Sequence, residues 1–181
     1  MISAPPETEL LYPLSRFRRD GGRMIPGYEL VNETAMPEPY RSLLVHNGDM
    51  TSRLEAFHGG SIILEVLHLD RSETTYRREV VLHVEKSGLP VEYGAIEINL
   101  NAFEPELREK ILEGKLPLGG LLNRYKVNYR SRPRGFFRLG TDSQMSTLFN
   151  CPETQEFYGR SNELLGDKDC LLARIVEVLR P

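Results

Sequence analysis

Residues 76–84 read YRREVVLHV, a run in which apolar side chains alternate with polar ones. Successive side chains of a strand point to opposite faces, so this alternation predicts a β-strand. One face is apolar except for a single charge, and it consists of Tyr76, Arg78, Val80, Leu82 and Val84. The other face carries Arg77, Glu79, Val81 and His83. The pattern therefore places Arg78 where apolar neighbours point.

A second strand repeats this anomaly with the opposite charge. Residues 171–179 read LLARIVEVL, which places Glu177 on one face with Leu171, Ala173, Ile175 and Leu179. Burying an unpaired guanidinium or carboxylate costs several kcal/mol. The two charges therefore form a buried Arg78–Glu177 salt bridge, or they hold a small anionic ligand between them. A register error of one residue would turn both charges outward, and this alternative also stays open.

The remaining pattern predicts an α+β chain with antiparallel hairpins and no internal repeat. A helix is expected over 49–57, capped by Asp49 or Ser52 and ended by Gly59 and Gly60. Pro105 and Pro117 each open a short helix. Strands are expected at 61–69, 93–100, 125–139, 157–165 and 171–179, and residues 140–156 read as turns. Residues 1–39 are expected to be an irregular lead-in to a domain over 40–181.

Composition excludes several classes of function. The net charge of −3 and pI near 5.9 oppose general binding to nucleic acid or to a membrane surface. No apolar run reaches membrane-spanning length, and the N-terminus lacks a signal-peptide pattern, so a cytoplasmic protein is expected. The two cysteines and four histidines show no metal-ligand spacing, and no dinucleotide or phosphate loop occurs. We expect neither metal nor cofactor, and a monomer is favoured.

Residues 124–138 interleave six basic residues with four aromatic ones. Such a stretch is typical of single-stranded nucleic-acid binding, but a strand with one solvated arginine face gives the same string. Because the whole chain is acidic, the solvated face is the favoured interpretation.

Two predicted helix starts complement Arg78. A carboxylate ligand is stabilised by backbone N–H groups at helix N-termini as well as by arginine. Met50 and Thr51 begin the first helix, and Leu118 follows Pro117 at the start of another. Their amides are therefore candidates for binding, while the side chains of Met50 and Leu118 are expected in the core.

Five strings along the chain resemble, in order, segments of the chorismate lyase family. They are DMTSRLE (49–55), YRREVVL (76–82), GKLPLG (114–119), YGRS (158–161) and EVLRP (177–181). The resemblance implies a single antiparallel sheet with helices packed on it, an internal ligand site, and no cofactor. It implies that Arg78 and the amides of Met50 and Leu118 hold the ring carboxylate, while Glu177 meets the 4-hydroxyl end.

The activity implied by this resemblance is release of pyruvate from chorismate to give 4-hydroxybenzoate. Arg78 and Glu177 would then be catalytic, with Glu177 either a base or only a hydrogen-bond partner if the hydrogen passes internally. The chain departs from the family pattern at Ala95, where an arginine is expected after the glycine that Gly94 matches. Arg160 or Arg124 could replace that cation, although each is expected to be a surface charge.

Two other functions remain open at this stage. The first is a non-catalytic, effector-sensing protein of the same fold that binds a small aromatic acid. The second is an enzyme of the same family that acts on a different chorismate-like acid, an alternative that the departure at Ala95 supports.

Overall fold

Within the described residues, seven antiparallel strands form one sheet, and β7 lies at its centre. A computed structural model of the chain describes residues 9–180. The strands are β1 (Tyr28–Val31), β2 (Ile62–Arg71), β3 (Thr75–Val84), β4 (Pro90–Asn99), β5 (Arg130–Gly140), β6 (Glu156–Leu165) and β7 (Leu171–Leu179). Their order in the sheet is β1-β5-β6-β7-β4-β3-β2, and every neighbouring pair is antiparallel. The predicted α+β architecture with a single antiparallel sheet is confirmed.

Six α-helices accompany the sheet within the described part of the chain. They are α1 (Leu14–Asp20), α2 (Tyr40–Leu44), α3 (Met50–His58), α4 (Pro105–Leu112), α5 (Leu118–Arg124) and α6 (Ser143–Phe149). Asp49 caps α3 by accepting from the Ser52 N–H at 2.8 Å, and Gly59 ends it in the left-handed conformation. The cap and stop predicted for this helix are therefore confirmed.

The helices divide between the two faces of the sheet. Leu14 and Phe17 of α1 pack with Met145 and Phe149 of α6 against one face. On the other face, α2 and α3 cover one region and α4 and α5 cover a second. The face covered by helices α2 to α5 is called the site face below. Four charged side chains point toward it: Arg78, Glu92, Arg160 and Glu177.

Three segments differ from the sequence-based prediction. Residues 9–39 are not irregular throughout: they contain α1 and β1, because Leu14 and Phe17 bury against the sheet and β1 pairs with β5. The domain boundary at residue 39 stays a prediction, and residues 1–8 lie outside the described residues. Strand β5 begins at Arg130 rather than at 125, because α5 extends to Arg124 and Lys126 takes a positive φ of 53°.

The predicted turn-rich segment 140–156 contains the helix α6. Asp142 caps this helix by accepting from the Met145 N–H at 2.9 Å, and Asn150 ends it in the left-handed conformation. Met145 and Phe149, four residues apart, bury one side of it. A helix of only seven residues, in which Met145, Leu148 and Phe149 are the apolar ones, gives too weak a periodic signal to stand out from turn residues.

A close backbone approach fixes Gly94 at the centre of the sheet. A Cβ built at Gly94 would lie 2.1 Å from the Val176 carbonyl oxygen of β7. Such a contact cannot be relieved by rotating a side chain, because the backbone fixes the position of Cβ and its partner is a backbone oxygen. Gly94 therefore allows β4 and β7 to pair as closely as they do.

We expect Gly94→Ala to lower the free energy of unfolding by about 3 kcal/mol or more, the upper range for overpacking a core. Gly120→Ala in α5 is the matched control, because a Cβ there meets no atom within 4 Å. That variant should be neutral or up to ~1 kcal/mol more stable, since alanine favours helix. Urea denaturation measures both. Equal stability of the two variants would contradict the close approach.

Candidate functional site

A cavity of about 70 Å³ lies on the site face, between the sheet and the first turns of α3 and α5. All four residues predicted for the site contribute to its wall: Met50, Arg78, Leu118 and Glu177. The volume is well below the 300–1,000 Å³ of typical drug-sized pockets, so the cavity suits a compact ligand. Whether these residues bind a ligand stays a prediction.

Arg78 is a buried cation without a carboxylate partner in the described chain. The residue is 2% exposed, and its Nη2 donates to the Leu116 carbonyl oxygen at 2.8 Å. Its Nε has no hydrogen-bond partner among residues 9–180, and its guanidinium carbon lies 5.9 Å from the centre of the Tyr76 ring. Burial lowers the pKa of Arg78, because loss of water penalises the charged form.

The predicted Arg78–Glu177 salt bridge does not form, because β4 separates the two strands. Two strand spacings of ~4.8 Å lie between them across the sheet. The predicted face of both charges is nevertheless correct, since each lines the cavity. A one-residue register error is thereby excluded for both strands.

Glu177 pairs instead with Arg160, which lies directly opposite on β6. The Arg160 Nε donates to Glu177 Oε2, and both side chains are at most 5% exposed. The expectation that Arg160 is a surface charge is therefore wrong. Alternation along β6 could have identified it, since Arg160 shares a strand face with Tyr158, Asn162 and Leu164.

Arg160 also supports the loop that leads into α3. Its Nη1 donates to the carbonyl oxygens of Leu44 and His46, at 3.0 and 3.3 Å. Burial and then the Arg160 cation lower the pKa of His46 to about 4, so this ring is neutral at pH 7. The buried ion pair thus connects the sheet to the backbone that positions Met50.

The starts of α3 and α5 approach each other above the sheet. A Cβ added at Gly119 would lie 2.7 Å from the Asp49 Cβ, so glycine permits this contact. Asn123 of α5 donates to Asp49 Oδ2 at 3.1 Å and fastens the two helices together. Met50 and Leu118 are both buried at this junction, as the sequence predicts for their side chains.

Glu92 is a second buried carboxyl of the cavity, and the sequence analysis did not select it. It is 5% exposed, and its Oε2 has no hydrogen-bond partner in the described chain. Burial, followed by repulsion from Glu177, raises the pKa of Glu92 well above its usual range, while Arg160 opposes this shift. The signal was available, because Glu92 shares a strand face with Gly94 and Ile96.

Ala95 contributes its side chain to the other face of the sheet. It packs there in a core cluster with Tyr93, Val176 and Phe137. An arginine at this position would therefore direct its cation away from Arg78. The basic residues of 124–138 also lie apart from the site: Arg130 pairs with Asp169 and Arg138 with Glu29, both at 2.7 Å.

Other classes of site receive no support from the described residues. Between Glu9 and Arg180, no group of three or more His, Cys, Asp or Glu side chains is arranged to hold a metal ion. No helix in that range is long and apolar enough to cross a membrane.

Comparison with solved structures finds proteins of similar fold. The chain matches PhnF from Mycobacterium smegmatis with a TM-score of 0.59 and 13% identity, over 75% of this chain and 65% of that one. It matches the effector domain of PhnF with a TM-score of 0.59 and 14% identity, over 74% and 88% of the two chains. A possible transcriptional regulator, YydK from Bacillus subtilis subsp. subtilis str. 168, matches with a TM-score of 0.51, 8% identity and coverage of 66% and 58%.

These matches establish the fold alone, which is the predicted chorismate lyase-like fold with a single antiparallel sheet. The chain spans less than two thirds of the length of PhnF. No protein-family model matches the sequence, and no curated protein matches it.

The prediction of a chorismate pyruvate-lyase is wrong. The solved structures that the chain resembles are PhnF, its effector domain and a possible transcriptional regulator, and none of these three is described as a lyase. The cavity agrees with this correction. Glu177, which the sequence analysis offers as a base or as a hydrogen-bond partner, is held by the buried Arg160 guanidinium.

We expect Arg160→Met to lower the free energy of unfolding by about 3–5 kcal/mol, because it leaves the Glu177 carboxylate buried without a partner. The double variant Arg160→Met, Glu177→Met should recover most of this loss. Arg132→Met is the control, because the Arg132–Glu163 pair is exposed on the arginine side and should cost at most ~1 kcal/mol. Urea unfolding at pH 7 compares the variants, and a double variant as unstable as the single one would contradict this account.

Proposed function

We propose that this chain is a non-catalytic binding domain for a small carboxylic acid, with aromatic acids as the favoured class. The observation that carries the proposal is the buried Arg78 guanidinium, which faces the cavity with an unpartnered Nε. A carboxylate accepts two hydrogen bonds from guanidinium groups in a favourable geometry. A ligand carboxylate would therefore supply the counter-charge that the described residues lack.

The start of α3 also favours binding of an anion next to Arg78. The first N–H groups of a helix have no carbonyl partner within the helix, and the helix dipole favours an anion there. Asp49 takes up the N–H of Ser52, while Met50 and Thr51 line the cavity. Met50 and Leu118 remain proposed amide donors, and Arg78 remains the proposed main contact.

The apolar walls favour a ring between the charged groups. Leu64, Val80, Leu82, Ile96, Leu164 and Ile175 line the cavity alongside the few polar groups. An aromatic monocarboxylic acid buries its ring against such side chains and keeps its charge at Arg78. The effector domain of PhnF, which has the same fold, makes the sensing of a small molecule the proposed use of this binding.

We expect the protein to bind 4-hydroxybenzoate and benzoate, and Arg78→Met to weaken binding of both by at least tenfold. One charge-assisted hydrogen bond is worth about 1.5–3 kcal/mol, which corresponds to this loss. The variant should unfold at the same or a higher temperature than the wild type, because it removes a buried cation that has no counter-charge. Calorimetric titration and thermal unfolding measure the two effects.

Arg77→Met is the matched control on the same strand. Arg77 points to the opposite face, where it pairs with Glu97 at 2.6 Å and Asp70 at 3.0 Å. Its replacement should reduce stability but change the affinity for 4-hydroxybenzoate less than threefold. Equal loss of affinity in the two variants would contradict the role of Arg78, and release of pyruvate from chorismate by the wild type would contradict a non-catalytic domain.

A further inference from the structure

Glu92 occupies a part of the cavity that the proposed carboxylate site does not use. On β4 it pairs with Leu82 of β3 and Leu179 of β7, so its flanking neighbours in the sheet are apolar. Glu177 lies two residues before Leu179 and is therefore its diagonal neighbour on the same face. A buried Oε2 without a hydrogen-bond partner, next to another carboxyl, costs free energy. A hydrogen bond between Glu92 and a ligand would offset this cost.

Arg160 does not pair equally with Glu92 and Glu177. Arg160 directs its Nε to Glu177 and its Nη1 to two backbone carbonyl oxygens. The other charged or titratable groups of the cavity wall are Asp49, Arg78 and Tyr129. Asp49 is occupied in capping α3 and in contacting Asn123. Glu177 thus takes the compensating charge, and Glu92 is left as the group favoured to carry a proton.

A neutral carboxyl differs from a carboxylate because it can donate a hydrogen bond as well as accept one. Ile96, the partner of Arg78, and Glu92 are four residues apart on β4, roughly 13 Å along the strand. A one-ring acid, together with the two side chains, spans such a distance. Glu92 is therefore placed to meet the end of a ligand whose carboxylate lies at Arg78.

We propose that Glu92 is the specificity-determining residue of this cavity, and that it presents a neutral carboxyl which hydrogen-bonds an uncharged oxygen at the end of the ligand remote from Arg78. The inference rests on the proposed function and deepens it by defining the ligand class. That class is monocarboxylic acids with a hydroxyl, carbonyl or ether oxygen at the far end. Dicarboxylic acids are excluded, because a second carboxylate would meet Glu177 without a free cation.

The test compares three one-ring acids: 4-hydroxybenzoate, benzoate and terephthalate, which differ only at the remote ring position. Calorimetric titration at pH 7 gives the affinity of each for the wild type, Glu92→Gln and Glu92→Leu. For the wild type we expect 4-hydroxybenzoate to bind about fivefold to tenfold more tightly than benzoate, the effect of one hydrogen bond. Terephthalate should bind at least tenfold more weakly than 4-hydroxybenzoate.

The two variants distinguish a hydrogen-bonding role from a role in packing. Glu92→Gln keeps a neutral hydrogen-bonding group and should keep the preference for 4-hydroxybenzoate over benzoate within threefold. Glu92→Leu should abolish that preference while its affinity for benzoate stays within threefold of the wild type. Retained benzoate binding also shows that this variant is folded.

Three results would overturn the inference while leaving the proposed function intact. They are an unchanged preference for 4-hydroxybenzoate in Glu92→Leu, a preference lost equally in Glu92→Gln, and tight binding of terephthalate by the wild type. Failure of the wild type to bind any of the three acids would instead overturn the proposed function, and the inference with it. The outcomes thus distinguish failure of the inference from failure of the proposed function.

Discussion

The site depends on one buried positive charge that the sheet does not neutralise. Arg78 and Arg160 point toward the same face and are almost equally buried, at 2% and 1% exposed. Arg160 meets a carboxylate directly across the sheet, whereas Arg78 meets a backbone carbonyl oxygen and an aromatic ring. Burying a cation without a counter-charge is unfavourable, and this cost is the physical basis of the anion site that we propose at Arg78. Of these two buried arginines, Arg78 is therefore the one that lacks a counter-charge.

The rest of the fold positions this charge. The Gly94 contact brings β4 against β7, and Gly119 brings the start of α5 against the cap of α3. The Arg160–Glu177 pair connects the centre of the sheet to the loop before α3. In the proposed function, different buried charges therefore serve stability and binding: the Arg160–Glu177 pair stabilises the scaffold, and Arg78 binds the ligand.

The sequence predicted the elements whose signals are local. The cap at Asp49, the prolines at the starts of α4 and α5, and the alternation in β3 and β7 each depend on neighbouring residues only. The face on which Arg78 and Glu177 lie followed from the same alternation. The partner of Glu177 did not follow, because strand order decides it, and the central position of β7 between β4 and β6 is a property of the whole sheet.

Other features were not predicted because they, too, depend on residues distant in the sequence. Alternation assigns Arg160 and Glu92 to a strand face, but both faces of β4 and β6 are buried, so the pattern does not show which face borders the cavity. Helix α1 and strand β1 are stabilised by contacts with residues more than 60 positions away, which no local pattern in 9–39 indicates. The enzymatic interpretation failed differently: similar motifs place similar side chains, but the fold serves regulators as well.

The most direct test of the central claim observes the Arg78 guanidinium itself during titration with benzoate. In ¹⁵N-labelled protein, the Arg78 Nε–H resonance is assigned by its absence from the spectrum of Arg78→Met. The account predicts that this resonance shifts and saturates as benzoate is added, while that of Arg160, which already donates to Glu177, shifts much less. An Arg78 resonance that stays unchanged while benzoate binds elsewhere, or that never responds at millimolar benzoate, would contradict it.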